Sequence, residues 1–120
     1  MNAKPARKPI RFLHGEIKSP PFGAKARYDA GDGLRRVQEG ESLTLPLSRP
    51  MPSIGPRCHE LRVDDAEARV TWRIVYRADD DAVLVAAVFE KKTEKTPKRE
   101  IDNSRARLAL YDRIKRETMR

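Results

Sequence analysis

An α+β fold is what this sequence predicts: a small, antiparallel-dominated sheet with an N-terminal helix on one face and a C-terminal helix. Three observations carry that expectation. Residues 69–77 (RVTWRIVYR) alternate apolar and polar, the period of a strand with one face buried. Residues 82–90 (AVLVAAVFE) are apolar on both sides, as in a central strand. Segments before and after this region instead repeat apolar residues every three or four positions, the period of a helix.

Taken in order, residues 1–9 (with Lys4, Arg7 and Lys8) read as a disordered basic leader, and residues 10–120 as one domain. Ile10, Phe12, Leu13 and Ile17 suggest a first strand over 10–17. Ser19-Pro20 is a helix start, serine capping and proline suiting the first turn. Phe22, Ala26, Ala30, Leu34 and Val37 then mark an amphipathic helix that Gly31 and Gly33 are expected to bend or split, with Gly40 as its stop. Residues 41–57 hold four of the nine prolines, so they form an extended connector that packs over the body or carries function, and not a central strand or helix interior. Residues 58–63 (CHELRV), 69–77 and 82–90, separated by polar turns at 64–68 and 78–81, form an antiparallel meander. Thr96-Pro97 opens the last helix by the same cap-then-proline logic, with Ile101, Leu108, Tyr111 and Ile114 along one side. With 38% hydrophobic and 37% charged residues the core is expected to be thin, one sheet face under one layer of helix.

A net charge of +8 points to a polyanionic partner. The lone cysteine, Cys58, excludes an intrachain disulfide and fits a reducing cytosol, and no apolar run resembles a signal peptide or a membrane span. Pleating decides where the charges fall. With Leu61 and Val63 turned to the core, Glu60 and Arg62 face away; with Trp72, Ile74 and Tyr76 inward, Arg69, Arg73 and Arg77 face away. Arg62 and Arg73 then share a face on neighbouring strands, and the third strand runs out into Lys91-Lys92 beside it. Guanidinium forks and ammonium groups gathered this way suit phosphate oxygens. The alternative is a solvated face whose arginines pair with Glu60, Asp64 or Glu90.

Other chemistry is thin. His14, His59 and Cys58 lack metal-ligand spacing, so no metal or cofactor is expected. Cys58 and His59, adjacent in a strand, point to opposite faces and cannot act on each other. There is no Gly-rich phosphate loop and no GxSxG, and Asp79-Asp80-Asp81 reads as a turn.

The ordered set CHELRV, TWRIVYR, AVFEKKTEKTP and a basic helix (REIDNSRARLALYDR), preceded by GEIKSPPFGAKAR and LRRVQEGESLTLPLSRPMPSIGPR, resembles the phage-derived branch of the RelE/HigB toxin superfamily over residues 10–116. The resemblance implies a RelE-like fold and a toxin that cuts mRNA in the ribosomal A site without a metal, the ribose 2′-OH attacking the adjacent phosphate. It implies a cognate helix-turn-helix antitoxin, no membrane, and no contact with DNA except through that antitoxin. By this resemblance Arg62 matches the active-site arginine, and Arg73 matches an arginine of the second strand motif, catalytic or supporting. Lys91 and Lys92 match a basic position past the third strand, as general acid or charge stabiliser, and His59 is a candidate acid or base. Arg69, Arg77, Lys95 and Lys98 are expected to bind RNA. The pattern departs from better-studied relatives in lacking their C-terminal tyrosine and a histidine after the third strand, Tyr111 lying deep in the last helix. A catalytically degenerate module of the same fold, binding RNA, the ribosome or a protein, is the alternative.

Overall fold

Seven elements build the domain in a computed structural model that describes residues 7–13 and 21–119: β1 (Ile10–Phe12), α1 (Ala24–Gln38), β2 (Ser48–Pro50), β3 (Cys58–Asp65), β4 (Val70–Ala78), β5 (Val83–Glu90) and α2 (Lys98–Thr118). The strands form one sheet in the order β1-β5-β4-β3-β2, with β1 parallel to β5 and every other pair antiparallel. The α+β architecture with an antiparallel-dominated sheet is therefore as expected, and the meander β3-β4-β5 is its centre.

The core is not single-layered. One face packs Leu61, Val63, Trp72, Ile74, Tyr76, Val83 and Val85 under Ala26, Ala30, Leu34 and Val37 of α1. The other packs Cys58, Val75, Leu84, Ala86 and Ala87 with Leu108 of α2, Ile101 and Tyr111 partly buried beside them. The apolar stretch in β5 is what makes a second layer possible: its small alanines admit a helix on the face opposite α1. An extra residue in β5, opposite the Val75/Tyr76 step, interrupts the ladder. The Ala86 carbonyl accepts a 2.8 Å hydrogen bond from Arg107 of α2, so the helix meets a backbone group at that irregularity.

Several local expectations need correction. The helix runs unbroken through Gly31 and Gly33; a Cβ at Gly33 would sit 3.1 Å from Leu61 Cδ2, so this glycine lets α1 lie close on β3. Its N-cap is Gly23, with no side-chain cap, while Ser19, Pro20, His14 and Ile17 lie outside the described residues. It ends as expected at Gly40, whose φ of 93° carries the chain out while the Gly40 and Glu41 amides bond back to Val37 and Arg36. Residues 1–6 of the expected leader lie outside the described residues; Lys8, at its end, bonds to the Gln38 and Asp79 carbonyls. The connector holds a strand after all. β2 is an edge strand, where Pro50 removes no ladder bond that the sheet needs. Pro97 itself is the N-cap of α2, because the Thr96 hydroxyl is turned inward to Glu60. Ile114, expected on the packed side of α2, is 51% exposed.

Candidate functional site

Glu60 is the centre of the face opposite α1. Strand alternation sends its side chain away from Leu61 and Val63, as read from the sequence, but it ends 2% exposed. Four donors converge on it. Lys91 Nζ at 3.1 Å, Arg73 Nε at 3.0 Å and Arg49 Nη2 at 3.1 Å all bond Oε1, and the Thr96 hydroxyl donates to Oε2 at 2.6 Å. Burial works against ionisation of this carboxyl, yet the Thr96 hydroxyl, the Lys91 ammonium and Arg49 outweigh it and hold Glu60 below the usual carboxylate range. Burial pushes Lys91 down despite the carboxylate, helped by Arg49 and Arg73. Burial thus opposes the charged form of both partners; it is outweighed at Glu60, which has several donors, and prevails at Lys91, which shares its carboxylate with two arginines.

These groups floor a cleft of about 310 Å³ lined by Leu45, Pro46, Arg49, Glu60, Arg62, Arg73, Lys91 and Glu94. α2 rests on β5 and leaves this part of the sheet open. Arg62 pairs directly across from Arg73 and, among the described residues, its one ion pair is a 3.2 Å contact to exposed Asp64. Arg73 is 13% exposed; its Nε holds Glu60 and its Nη1 is buried with no hydrogen-bond partner. Beyond Arg62 and Lys91, which line both, a second cleft of about 650 Å³ includes Arg69, Thr71, Glu90 and Lys92.

The expected cluster is thus brought together in part. Arg62, Arg73 and Lys91 share one cleft, and Lys92 and Arg69 the next. Lys91, however, is locked in a buried ion pair and presents no free ammonium. Arg69 is not on the strand but in the β3–β4 turn, at a φ of 58°. His59 is on the opposite face, stacked on Tyr76 with ring centroids 5.4 Å apart, because odd positions of β3 face α1. Arg77 is closed off: it makes paired hydrogen bonds to Asp79 and to Asp112, the latter at 2.7 and 3.0 Å, tying α2 to β4. The Asp112 and Asp79 carboxylates outweigh burial and raise the Arg77 pKa further. Lys95 and Lys98 are exposed but line neither cleft, and Lys98 pairs with Asp102. Arg49, Thr96 and the hub role of Glu60 escaped sequence reasoning. Only recognising SRP as a strand would have set Arg49 opposite Glu60. Among the described residues no three His, Cys, Asp or Glu side chains are grouped to hold a metal ion, and no helix is long and apolar enough to cross a membrane.

What fold and site define is a small basic α+β protein with a cleft on one side of its sheet that is floored by cations gathered around one carboxylate. The chain belongs to the phage-derived Gp49-like protein family (DUF891), whose family model matches residues 21–109, from just before α1 into α2 and including every residue of both clefts. This is a toxin–antitoxin family, and membership implies an antitoxin partner. No curated protein matches the chain.

Proposed function

We propose that this chain is the toxin of a type II toxin–antitoxin pair and a ribosome-dependent mRNA endoribonuclease acting in the cytoplasm. One observation carries the reading: three cations share the single buried carboxylate of Glu60 at the floor of an open cleft, with Arg62 on its rim. The surplus positive charge is fixed in place before any ligand arrives, which is what a phosphate gathering charge in a transition state needs. Arg62 is the residue to grip the scissile phosphate, because a surface contact such as that with Asp64 is worth no more than about 1 kcal/mol and is readily exchanged. Arg73, held against Glu60, fixes the floor of the cleft, and Lys91 acts through Glu60 as a positioning residue. Arg69 and Lys92 extend the track for the neighbouring backbone. The ribose 2′-OH attacks the adjacent phosphorus, the bond to the 5′-oxygen breaks, and a cyclic phosphate and a free 5′-OH result. A helix-turn-helix antitoxin neutralises the protein and represses the shared operon.

Among the described residues neither cleft is lined by histidine or tyrosine, which favours a second reading: a module that binds RNA or the ribosome without cutting. Induction without the antitoxin gene, with mapping of mRNA 5′ ends, separates the two. The first reading expects growth arrest and cuts at defined codon positions, both abolished by Arg62→Ala. Salt-sensitive ribosome association without cuts would favour the second. Normal growth with neither outcome would dispose of both.

A further inference from the structure

The wall of the Glu60 cleft carries two features that phosphate binding does not explain. In the segment Leu43-Thr44-Leu45-Pro46-Leu47 the first leucine is buried and the last packs on the core, while Leu45 between them is 66% exposed and lines the cleft with Pro46. The segment is anchored: the Ser48 amide bonds to the Thr44 carbonyl at 3.0 Å, and the Arg62 amide to the Leu47 carbonyl at 2.8 Å. A large apolar side chain is therefore held against water beside a cationic floor. The second feature is Glu94, an exposed carboxylate that lines the same cleft as Arg49, Arg62 and Lys91 yet makes no ion pair among the described residues. A free carboxylate repels phosphate, so in a backbone-binding cleft it suits the part of a nucleotide that is not phosphate.

We propose that Leu45-Pro46 and Glu94 form a nucleobase subsite beside the arginines, taking one unstacked base of single-stranded RNA that bears an amino group on its pairing edge. The base lies flat on the apolar wall, and Glu94 accepts from the amino group of cytosine, adenine or guanine. Guanine fits best, since its N1–H and N2–H are side by side and match two carboxylate oxygens. Uracil fits worst, because its single N3–H stands between two carbonyl oxygens that face the carboxylate. The subsite rests on the RNA-cleaving reading above and adds a base preference to it.

The test is fluorescence anisotropy of labelled pentaribonucleotides of sequence UUNUU with the full chain at fixed low salt, so that only the central base changes. The parent protein is expected to bind the A and C oligonucleotides about fivefold tighter than all-U, the worth of one hydrogen bond, and the G oligonucleotide tighter still. Glu94→Ala, which leaves no acceptor, is expected to erase that difference and to raise all-U affinity. Leu45→Ser is expected to weaken all four by about fivefold through lost apolar contact. Both positions are exposed, and unchanged urea midpoints would verify that both variants fold. Equal affinity for all four bases in the parent, or a preference that survives in Glu94→Ala, would overturn the subsite and leave the RNA reading standing. Unchanged RNA binding by Leu45→Ser with weaker association to the antitoxin would assign the wall to the protein partner instead. Absence of binding to every oligonucleotide would overturn the subsite, while the ribosome-dependent reading stands or falls on the mapped mRNA 5′ ends.

Discussion

Replacing Glu60 by glutamine removes the one negative charge against which Arg49, Arg73 and Lys91 are held. The side chains of Glu60 and Lys91 are each 2% exposed, and the other side-chain acceptor for Lys91 is the Thr96 hydroxyl at 3.5 Å. An ammonium deprived of its carboxylate there cannot regain its hydration without opening the loop above it. Breaking a buried ion pair from one side costs about 3–5 kcal/mol. The amide keeps the shape and one acceptor oxygen, so the lower end, about 3 kcal/mol, is expected. That is a large share of the roughly 5–15 kcal/mol that holds a domain of this kind folded. Trp72, the single tryptophan, packs 4.6 Å from Phe22 and donates to Asp65 on the opposite face, so its fluorescence in urea follows unfolding of the whole domain. Adding Lys91→Met is expected to recover about half of the loss, since the orphaned charge goes with it. RNA affinity in Glu60→Gln is expected to hold or rise while stability falls, because the cations lose their counter-charge. Opposite signs distinguish an electrostatic scaffold from a group that grips the ligand. A loss below about 1 kcal/mol, the worth of a surface pair, without coupling to Lys91 would refute the reasoning.

Arg77→Met is expected to destabilise by about 3 kcal/mol, because it leaves Asp79 and Asp112 without their shared guanidinium, and to leave RNA affinity unchanged; urea titration and anisotropy read the two effects separately. Arg69→Gly relieves a left-handed backbone and is expected to stabilise by about 0.5 kcal/mol after the extra flexibility of glycine in the unfolded chain is subtracted. The same variant is expected to flatten the log–log salt dependence of RNA binding by about 0.7, one phosphate contact on a single strand. Five carboxyls are held below their usual range, and acid stability follows chiefly from the three that are least exposed: Glu60 against its burial by Thr96 and Lys91, Asp65 by the Gly23 amide and the Trp72 indole, and Asp112 by Arg77. Folded values lie under unfolded ones, so the contribution is full above about pH 4–4.5 and is lost as pH falls through the folded values. Urea midpoints are expected to be level from pH 7 to about pH 5 and to drop below about pH 4; midpoints unchanged at pH 3 would contradict this.

How much of this could be read beforehand depends on how local each cause is. The inward set Trp72, Ile74 and Tyr76 follows from a period of two that needs no partner and stands; of the outward set Arg69, Arg73 and Arg77, the last two stand and Arg69 falls in the β3–β4 turn. What did not follow is that outward means solvent. A second helix lands on that face because Ala82, Ala86 and Ala87 leave room for it, and the same outward arginine becomes a surface cation or a buried brace according to how far the helix reaches. Arg62, beyond that reach, stays open; Arg77, within it, meets Asp112 of α2 at 2.7 Å. The three-residue strand Ser48–Pro50 is too short for any periodicity to show, yet it carries Arg49 to Glu60. Glu60 draws its donors from 11, 13, 31 and 36 residues away, and no local pattern marks a carboxylate as the meeting point of segments so distant. Composition nevertheless constrains the outcome. A chain with 26 lysines and arginines against 18 acidic residues must leave cations unmatched however it folds. The fold decides only where, and it sets two of its buried carboxylates, Glu60 and Asp79, against Arg73, Lys91 and Arg77. Arg62, Arg69 and Lys92 are left lining the adjoining clefts.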